Sequence, residues 1–338
     1  MSSEIPAPNE PTPDTTAPPT APVARPKSTG LHVGDAGPGV KKVDPIIVAD
    51  GIRRTFGGLT AVDVDHLEIP RNAITALIGP NGAGKTTLFN LLTGFDKPNE
   101  GAWTFDGTSL SGVPAFKVAR MGQVRTFQLT KALGLLTVLE NMKLGAKDQR
   151  GERFWSSLIP AAWRAQDQSL DTRAMELLTK FKLDAKASDF AASLSGGQRK
   201  LLEMARALMS DPKLVMLDEP MAGVNPALTQ SLLDHILDLK EQGMTVLFVE
   251  HDMHMVRHIA DWVVVMAEGR VVAEGDPHSV MKDPAVIDAY LGAHQEVDLG
   301  VVTGRYAPEG GADASTEAAV KEEILAEALA ELREEEEK

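Results

Sequence analysis

The sequence contains no cysteine, so it can form neither a disulfide bond nor a metal site with thiolate ligands. This absence fits a reducing compartment. No apolar run approaches the roughly 20 residues that a membrane-spanning helix needs, and the longest, near Trp262–Ala267, has the length of a strand. The N-terminus lacks the charged head and apolar stretch of a secretory signal, so we expect no such signal.

Positive charge is also scarce, since 34 Lys and Arg residues face 48 Asp and Glu residues and give a formal net charge of −14. An acidic chain has little non-specific affinity for nucleic acid. The acidity is concentrated in the last part of the chain, where residues 306–338 contain 11 acidic and 3 basic side chains. The rest of the chain is therefore only mildly acidic.

The most informative stretch has the spacing G-x-x-x-x-G-K-[ST] of a phosphate-binding loop. A strand-like run, residues 73–78, leads into it, and a helix is predicted over Lys85–Leu92. Glycines let successive N–H groups turn inward around an anion, and the helix N-terminus adds positive potential. We therefore predict binding of a nucleoside triphosphate by nine residues: Gly79, Pro80, Asn81, Gly82, Ala83, Gly84, Lys85, Thr86 and Thr87. Lys85 is placed to reach the β- and γ-phosphates and the Thr86 hydroxyl to bind Mg²⁺.

Composition divides the chain into three parts. Residues 1–44 are rich in Pro, Ala and Thr and have few large apolar side chains, so we predict a disordered extension. Residues 45–295 form the predicted globular body, with a helical part at about 147–200. Residues 296–338 form an acidic tail, in which apolar residues at helical spacing predict a helix over 316–335 when another surface covers its apolar stripe.

Within the body, apolar patterns predict an α/β fold. Two continuous apolar runs, Leu214–Leu217 and Thr245–Val249, are typical of a parallel sheet buried on both faces. Helices are predicted over Arg199–Met209 and Thr229–Gln242, and a hairpin turns at Glu268-Gly269. The remaining predicted strands are Ile46–Ala49, Ala61–Ile69, Trp103–Phe105 and Val124–Phe127.

The strand at Leu214–Leu217 ends in two carboxylates, Asp218 and Glu219. At the end of a parallel strand beside a phosphate loop, Asp218 can hold Mg²⁺ through water and Glu219 can act as the general base for an attacking water. A solvated acidic turn after a strand gives the same local pattern. The phosphate loop in the same chain is what favours the functional interpretation.

A second candidate anion site is Leu194-Ser195-Gly196-Gly197-Gln198, at the start of a predicted helix. A serine and two glycines at a helix start can bind phosphate through a hydroxyl and exposed N–H groups, although an ordinary helix cap has the same residues. Two phosphate-binding segments more than a hundred residues apart in one chain suggest that two protomers bind one nucleotide between them.

Three further side chains are weaker candidates. His251 follows a buried strand and can hydrogen-bond a γ-phosphate, although a lone histidine is more often structural. Gln128 can contact the metal or its water, and Phe56 can stack on adenine, although a core position explains Phe56 nearly as well.

Taken together, these motifs resemble the ATP-binding cassette (ABC) family over about Pro45–Gly292. The order is diagnostic: phosphate loop, Gln128, the signature Leu194–Gln198, Asp218-Glu219 and His251. The resemblance implies a RecA-like P-loop ATPase core with an antiparallel β subdomain near Phe56 and an α-helical subdomain. It also implies ATP and Mg²⁺ as ligands, catalytic roles for Glu219, His251 and Gln128, and Mg²⁺ contacts from Thr86, Gln128 and Asp218. Ser195, Gly196 and Gly197 are implied to contact the ATP held by a partner subunit.

Four features look like the branched-chain amino acid importer ATPases, and specifically the larger of the two in that system. Asn225 stands where many cassettes carry aspartate, which leaves its role open. The resemblance implies a second, paralogous ATPase subunit, two membrane permeases, an extracytoplasmic solute-binding protein and a location on the cytoplasmic face of the membrane. The four features are Arg53–Ala61 (RRTFGGLTA), Arg125–Gln128, the lengthened segment 151–171 and the ending 283–292.

Other functions remain open at this point. Urea-type importer ATPases are very similar, and lipid- or lipopolysaccharide-type exporters have similar cassettes, although the lengthened helical segment favours import. A soluble cassette that acts on ribosomes usually has two cassettes in one chain, and this chain has one phosphate loop and one signature. A DNA-acting member has a long coiled coil between these motifs, for which Lys85 and Ser195 are too close. The predicted partners therefore include no nucleic acid.

Overall fold

The computed structural model describes residues 37–126, 132–149, 160–251 and 253–290, without the side chains of 160–162, 226, 227 and 254. Its strands form two sheets, one of four strands and one of six. No helix in these ranges is long and apolar enough to span a membrane. The predicted acidic tail at 296–338, its helix at 316–335 and Gln128 lie outside the described residues.

The smaller sheet is antiparallel and has the order β2-β1-β4-β5. The first two strands form a long hairpin, whose turn at Gly57-Gly58 has φ angles of 53° and 94°, in the region that glycine adopts without strain. Asp106 and Gly107 turn between the last two strands, also with positive φ, as expected of a tight hairpin. The strands are β1 Pro45–Phe56, β2 Leu59–Pro70, β4 Glu100–Phe105 and β5 Thr108–Ser109.

The larger sheet has the order β10-β9-β3-β8-β7-β6, and all its neighbours are parallel except the β9–β10 hairpin. Every residue of β3, β7 and β8 is buried, which confirms the prediction of a parallel sheet covered on both faces. The strands are β3 Ile74–Ile78, β6 Gln123–Arg125, β7 Leu214–Asp218, β8 Thr245–Val249, β9 Trp262–Ala267 and β10 Arg270–Gly275.

Eight helices in the described ranges complete the fold. They are α1 Lys85–Leu92, α2 Ala115–Arg120, α3 Val138–Lys143, α4 Pro160–Lys180, α5 Gly196–Leu208, α6 Pro226–Glu241, α7 Met253–Ile259 and α8 Pro277–Val280.

Alternate residues of the large sheet point into two separate cores, as the two-residue period of a strand requires. In β3, Ile74, Ala76 and Ile78 pack with the helices α3 to α6, whereas Leu77 packs with α1 and the small sheet. The large sheet is therefore the middle layer, with helices on one face and the antiparallel sheet on the other.

Several predicted boundaries were wrong in an informative way. Helix α5 begins at Gly196 rather than Arg199, and α6 begins at Pro226 rather than Thr229. In both, a capping residue (Ser195 or Asn225) starts the helix inside a glycine- or proline-containing stretch that has no apolar periodicity. Strand β6 ends at Arg125, before the predicted end at Phe127, which lies outside the described residues.

The packed part of the chain begins before the predicted boundary at residue 45. Lys42 is 7% exposed and forms a buried ion pair with Glu274. The N–H of Val40 donates to the same carboxylate at 2.9 Å. Composition predicted disorder here because the segment has few large apolar groups. The segment is instead held to the body by a polar contact, the ion pair of Lys42 with Glu274.

Candidate nucleotide site

The phosphate loop joins the buried strand β3 to helix α1, as predicted. Gly79, Gly82 and Gly84 have φ angles of 147°, 82° and 94°. A Cβ on Gly79 would lie 2.0 Å from the carbonyl oxygen of Met266, and one on Gly84 would lie 2.3 Å from that of Ala61. The loop is thus pressed between β9 and β2, where only glycine fits.

Lys85 sits over this loop. Its ammonium donates to the carbonyl oxygens of Gly79 and Pro80, at 2.6 and 2.8 Å. Burial lowers the pKa of Lys85, while the charges of Glu219 and Asp218 oppose that shift. The cation therefore lies at the loop with both predicted carboxylates within electrostatic reach.

The first turn of α1 has the chemistry to accept an anion. Its N-cap is Gly84, which has no side chain to satisfy the free N–H groups that follow. Thr86 is exposed in this turn and Thr87 is half-buried. A helix N-terminus with unsatisfied N–H groups attracts a phosphate through both hydrogen bonds and the helix dipole.

Strand register brings the other motifs to the same edge of the sheet. Val249 of β8 pairs with Leu77 of β3 on one side and with Asp218 of β7 on the other. The carboxyl ends of these three strands are therefore level, and the phosphate loop, Asp218-Glu219 and His251 all follow them directly. The Glu219 N–H also donates to the Val249 carbonyl at 3.1 Å, with a φ of 46° at Glu219.

Asp218 has a partner that the sequence did not reveal. Arg125 donates to its carboxylate at 2.7 Å and to the Asn90 side chain of α1 at 2.6 Å. Both members of the ion pair are almost completely buried, with 5% and 6% of their side chains exposed. Arg125 thus ties the edge strand β6, which leads towards Gln128, to the candidate metal ligand.

The signature segment begins helix α5. Ser195 is the N-cap, its hydroxyl accepting from the Gln198 N–H at 3.2 Å while the Gln198 side chain accepts from the Ser195 N–H at 3.0 Å. A Cβ on Gly197 would meet Leu228 of α6, whereas one on Gly196 would meet nothing within 4 Å. Packing inside this chain therefore does not require glycine at 196.

Phe56 and His251 are both accessible. Phe56 is 47% exposed at the end of β1, with the Arg54 guanidinium 4.5 Å from its ring centroid. Because Gly84 contacts Ala61 of β2, the tip of this hairpin lies beside the phosphate loop. The side chain of His251 is 70% exposed, and its Nδ1 is 3.7 Å from the Glu250 carboxylate.

Sequence reasoning missed three residues of this region. Arg125 binds Asp218, while Lys200 and Glu250 bind the backbone of residues 219–222. Each is adjacent to or within a recognised motif, and that adjacency is the only signal that the sequence offers. Their partners are up to 93 residues away in the chain and cannot be read from local spacing.

The residues present fit a nucleotide and Mg²⁺. The loop glycines allow the positive φ angles that turn backbone N–H groups towards an anion, and Lys85 supplies a positive charge there. The Thr86 hydroxyl and the Asp218 carboxylate are hard oxygen ligands, the kind that Mg²⁺ prefers. Since Arg125 binds Oδ2 of Asp218, the second oxygen is the one suited to a metal-bound water.

Two family models and several curated proteins match this chain. Residues 62–222 match the family model described as ABC transporter, and residues 270–296 match the one described as branched-chain amino acid ATP-binding cassette transporter. Among curated proteins, the chain is 40% identical over 257 residues to a probable branched-chain amino acid transport ATP-binding protein LivG of Archaeoglobus fulgidus, covering 76% of this chain and 99% of that protein. It is 41% identical to the high-affinity LivG of Escherichia coli strain K12, covering 73% and 98%.

A solved structure shows the same fold. A nucleotide-free ATP-binding cassette from an ABC transporter is 36% identical, with a TM-score of 0.64, and the match covers 73% of this chain and 98% of that one. An ADP-bound cassette from an ABC transporter is similar at the same identity and TM-score.

Proposed function

This chain belongs to the ABC transporter family of ATP-binding proteins, and on that premise we propose that it hydrolyses ATP to energise an importer of branched-chain amino acids. The names of its relatives and the family match at 270–296 support this solute class. In the proposal it works at the cytoplasmic face of the membrane with two permeases, a paralogous second cassette and an extracytoplasmic solute-binding protein.

The observation that carries the proposal is the shared edge of the large sheet. Pairing of Val249 with both Leu77 and Asp218 aligns the phosphate loop, the carboxylates and His251. In an open α/β sheet, ligands bind beyond the carboxyl ends of the strands. This edge therefore supplies both a phosphate cradle and acid–base groups to one nucleotide.

The phosphates are bound by the loop and by Lys85. The N–H groups of Gly82 to Thr87 surround the anion, and Phe56 stacks on the adenine. In the described structure Lys85 donates to two loop carbonyls, so it exchanges these for the β- and γ-phosphates when ATP binds.

The residues that would hold Mg²⁺ are Thr86, Asp218 and Gln128. When bound, Mg²⁺ neutralises charge on the β- and γ-phosphates. Thr86 would provide its hydroxyl and Asp218 would bind through water. The pairing of Asp218 with Arg125 fixes the direction of its carboxylate.

Glu219 acts as the general base and His251 as a γ-phosphate contact. Glu219 accepts the proton of the attacking water, and the exposed His251 ring donates to the phosphate. The N-terminus of α5, with Ser195, Gly196, Gly197 and Gln198, binds the ATP held by the partner cassette. The open space at Gly196 supports this, since glycine is not needed there for packing within the chain.

The experiment is Glu219→Gln in the purified complex, with the corresponding carboxylate of the partner cassette also changed to glutamine. Glutamine keeps the size of the side chain but cannot accept the water proton. We expect the ATPase rate to fall by about 10²–10⁴-fold, or roughly 3–5 kcal/mol of barrier, while ATP stays bound and holds the cassettes together. ATPase rate and size exclusion with Mg-ATP measure the two effects.

Lys85→Ala provides the contrast, because it weakens phosphate binding itself. Cells carrying either variant should lose uptake of labelled leucine, isoleucine and valine, whereas wild type should retain it. Near-normal hydrolysis by the Glu219 variant would remove that residue from the mechanism. Transport of urea or export of lipid in place of branched-chain uptake would overturn the solute class alone.

A further inference from the structure

The loop that follows Asp218, residues 219–222, is held in place by two ionisable side chains that have no role in the proposal above. Lys200 approaches it from helix α5, and Glu250 from the end of strand β8. Lys200 is half-buried and Glu250 is 2% exposed. Burying ionisable groups is costly unless they are well hydrogen-bonded, so the partners of both require an explanation.

Lys200 binds the carbonyl side of the loop. Its ammonium donates to the carbonyl oxygens of Glu219, Pro220 and Ala222, at 3.1, 3.1 and 2.5 Å. An ammonium has three N–H donors, and here each has a backbone acceptor. The loop therefore curls around a single positive charge.

Glu250 binds the N–H side of the loop. One carboxylate oxygen accepts from the Met221 N–H at 3.1 Å, and the other accepts from the His251 N–H at 3.3 Å. Burial raises the pKa of Glu250, and its charge attracts Lys200 across the loop. One carboxylate thus connects the backbone of the loop to that of His251.

The loop needs such support because its first residue is in an uncommon conformation. Glu219 has a φ of 46°, which a residue with a side chain adopts only when its surroundings hold it there. The direction of its carboxylate depends on that backbone. Small displacements of a catalytic group are costly, since a shift of about 1 Å can lower a rate by about 10²-fold.

We propose that Lys200 and Glu250 are positioning residues for hydrolysis: together they fix the backbone of residues 219–222 and thereby aim Glu219 and His251 at the nucleotide. The inference rests on the proposed role of Glu219 as general base. It also links two motifs, because Lys200 is five residues after Ser195 on the same helix. A partner nucleotide that binds Ser195 therefore acts on a helix that is directly bonded to the loop of Glu219.

The test measures kcat, the KM for ATP and thermal unfolding of the complex in which the partner's catalytic carboxylate is glutamine. Lys200→Met keeps the length of the side chain and removes its donors. We expect kcat to fall by about 10–100-fold while the KM for ATP stays within about threefold. Lys240→Met is the matched control, since Lys240 is also partly buried but pairs with Asp261 at 2.5 Å, outside this loop.

A double variant separates positioning from general destabilisation. If Lys200 acts through Glu219, Lys200→Met should change the residual rate of the Glu219→Gln complex by less than about twofold. The proposal would be overturned if Lys200→Met lowers the residual rate of the Glu219→Gln complex by the same factor as it lowers the wild-type rate. It would also be overturned if Lys200→Met changes only the KM for ATP, or if its kcat equals that of wild type.

Glu250→Gln gives a second test if the Lys200 variant does not fold. Glutamine is close in size to glutamate and has no charge, and it replaces one acceptor oxygen by an NH₂ group. We therefore expect the same fall in kcat at unchanged KM for ATP. Wild-type kcat in this variant would contradict the proposal. Glu219→Gln alone reports on the proposed function, since its rate is compared with wild type without any change at Lys200 or Glu250.

Discussion

At the scale of single residues, His235 is a buried ionisable group whose burial is not offset by hydrogen bonds to its ring. It lies on α6, 7% exposed, with its ring 4.2 Å from that of Phe181. Neither ring nitrogen has a hydrogen-bond partner among the described residues. Burial lowers the pKa of His235, against the attraction of Asp238 and with some help from Lys180.

This depressed pKa predicts a loss of stability in mild acid. The unfolded chain takes up the proton near pH 6.5 and the folded chain only at lower pH, so the free energy of unfolding falls as pH drops below 6.5. One group contributes up to about 1.4 kcal/mol per pH unit. His235→Leu should reduce the fall in melting temperature between about pH 7.5 and 5.5.

The control for this prediction is His278→Leu, since His278 is exposed on α8. It should leave the acid sensitivity as in wild type. If both leucine variants have the same pH dependence as wild type, protonation of His235 is not coupled to unfolding.

At the scale of elements, the start of a helix is decided by its cap. Asn225 accepts from the Leu228 N–H at 2.9 Å and Pro226 occupies the first helical position, so α6 begins there. Asn225, whose role the sequence left open, is therefore the N-cap of α6. Aspartate, which many cassettes carry here, can make the same bond.

Two substitutions of Asn225 should therefore differ in their effect on the free energy of unfolding. We expect Asn225→Ala to lower the free energy of unfolding by about 1 kcal/mol, because an N–H of the first turn loses its acceptor. Asn225→Asp should stay within a few tenths of a kcal/mol of wild type, with the charge favoured by the helix dipole. Urea unfolding of both variants measures this, and equal losses would contradict a capping role.

The elements also show what a sequence can predict. Helix Lys85–Leu92 and strand Thr245–Val249 were predicted with their observed bounds, because glycines or apolar runs mark their ends. The starts of α5 and α6 were each placed three residues late, because capping residues carry no periodicity. The pairing of Arg125 with Asp218 joins residues 93 apart, and no local pattern encodes it.

At the scale of the whole molecule, the ion pair Lys42–Glu274 joins the segment before β1 to strand β10. The side chains are 1% and 0% exposed, and Glu274 also accepts from the Trp262 indole at 2.9 Å. A residue before the first strand thereby holds the last strand of the large sheet. Composition predicts that the body starts after Lys42, because one buried lysine does not change the average amino-acid composition of a polar segment.

Two shortened chains test this boundary. A chain that begins at residue 45 lacks Lys42 and leaves Glu274 buried without its cation, which costs about 3–5 kcal/mol in comparable pairs. A chain that begins at residue 37 keeps the pair and should unfold at the wild-type denaturant concentration. Equal midpoints for both chains would show that the pair adds nothing to stability.

The register of β3 also has a consequence for synthesis of the protein on the ribosome. Leu77 pairs with Val249, which is made about 170 residues later, and at 5–20 residues per second that delay is roughly 10–30 s. Throughout this interval the five residues of β3, all buried in the finished protein, have no partner strand from β8 or β9. The antiparallel hairpin β1–β2 needs no such wait. The strand that delivers the phosphate loop is thus among the first made and among the last to be paired, and its unpaired edges favour aggregation of the nascent chain until β8 and β9 emerge.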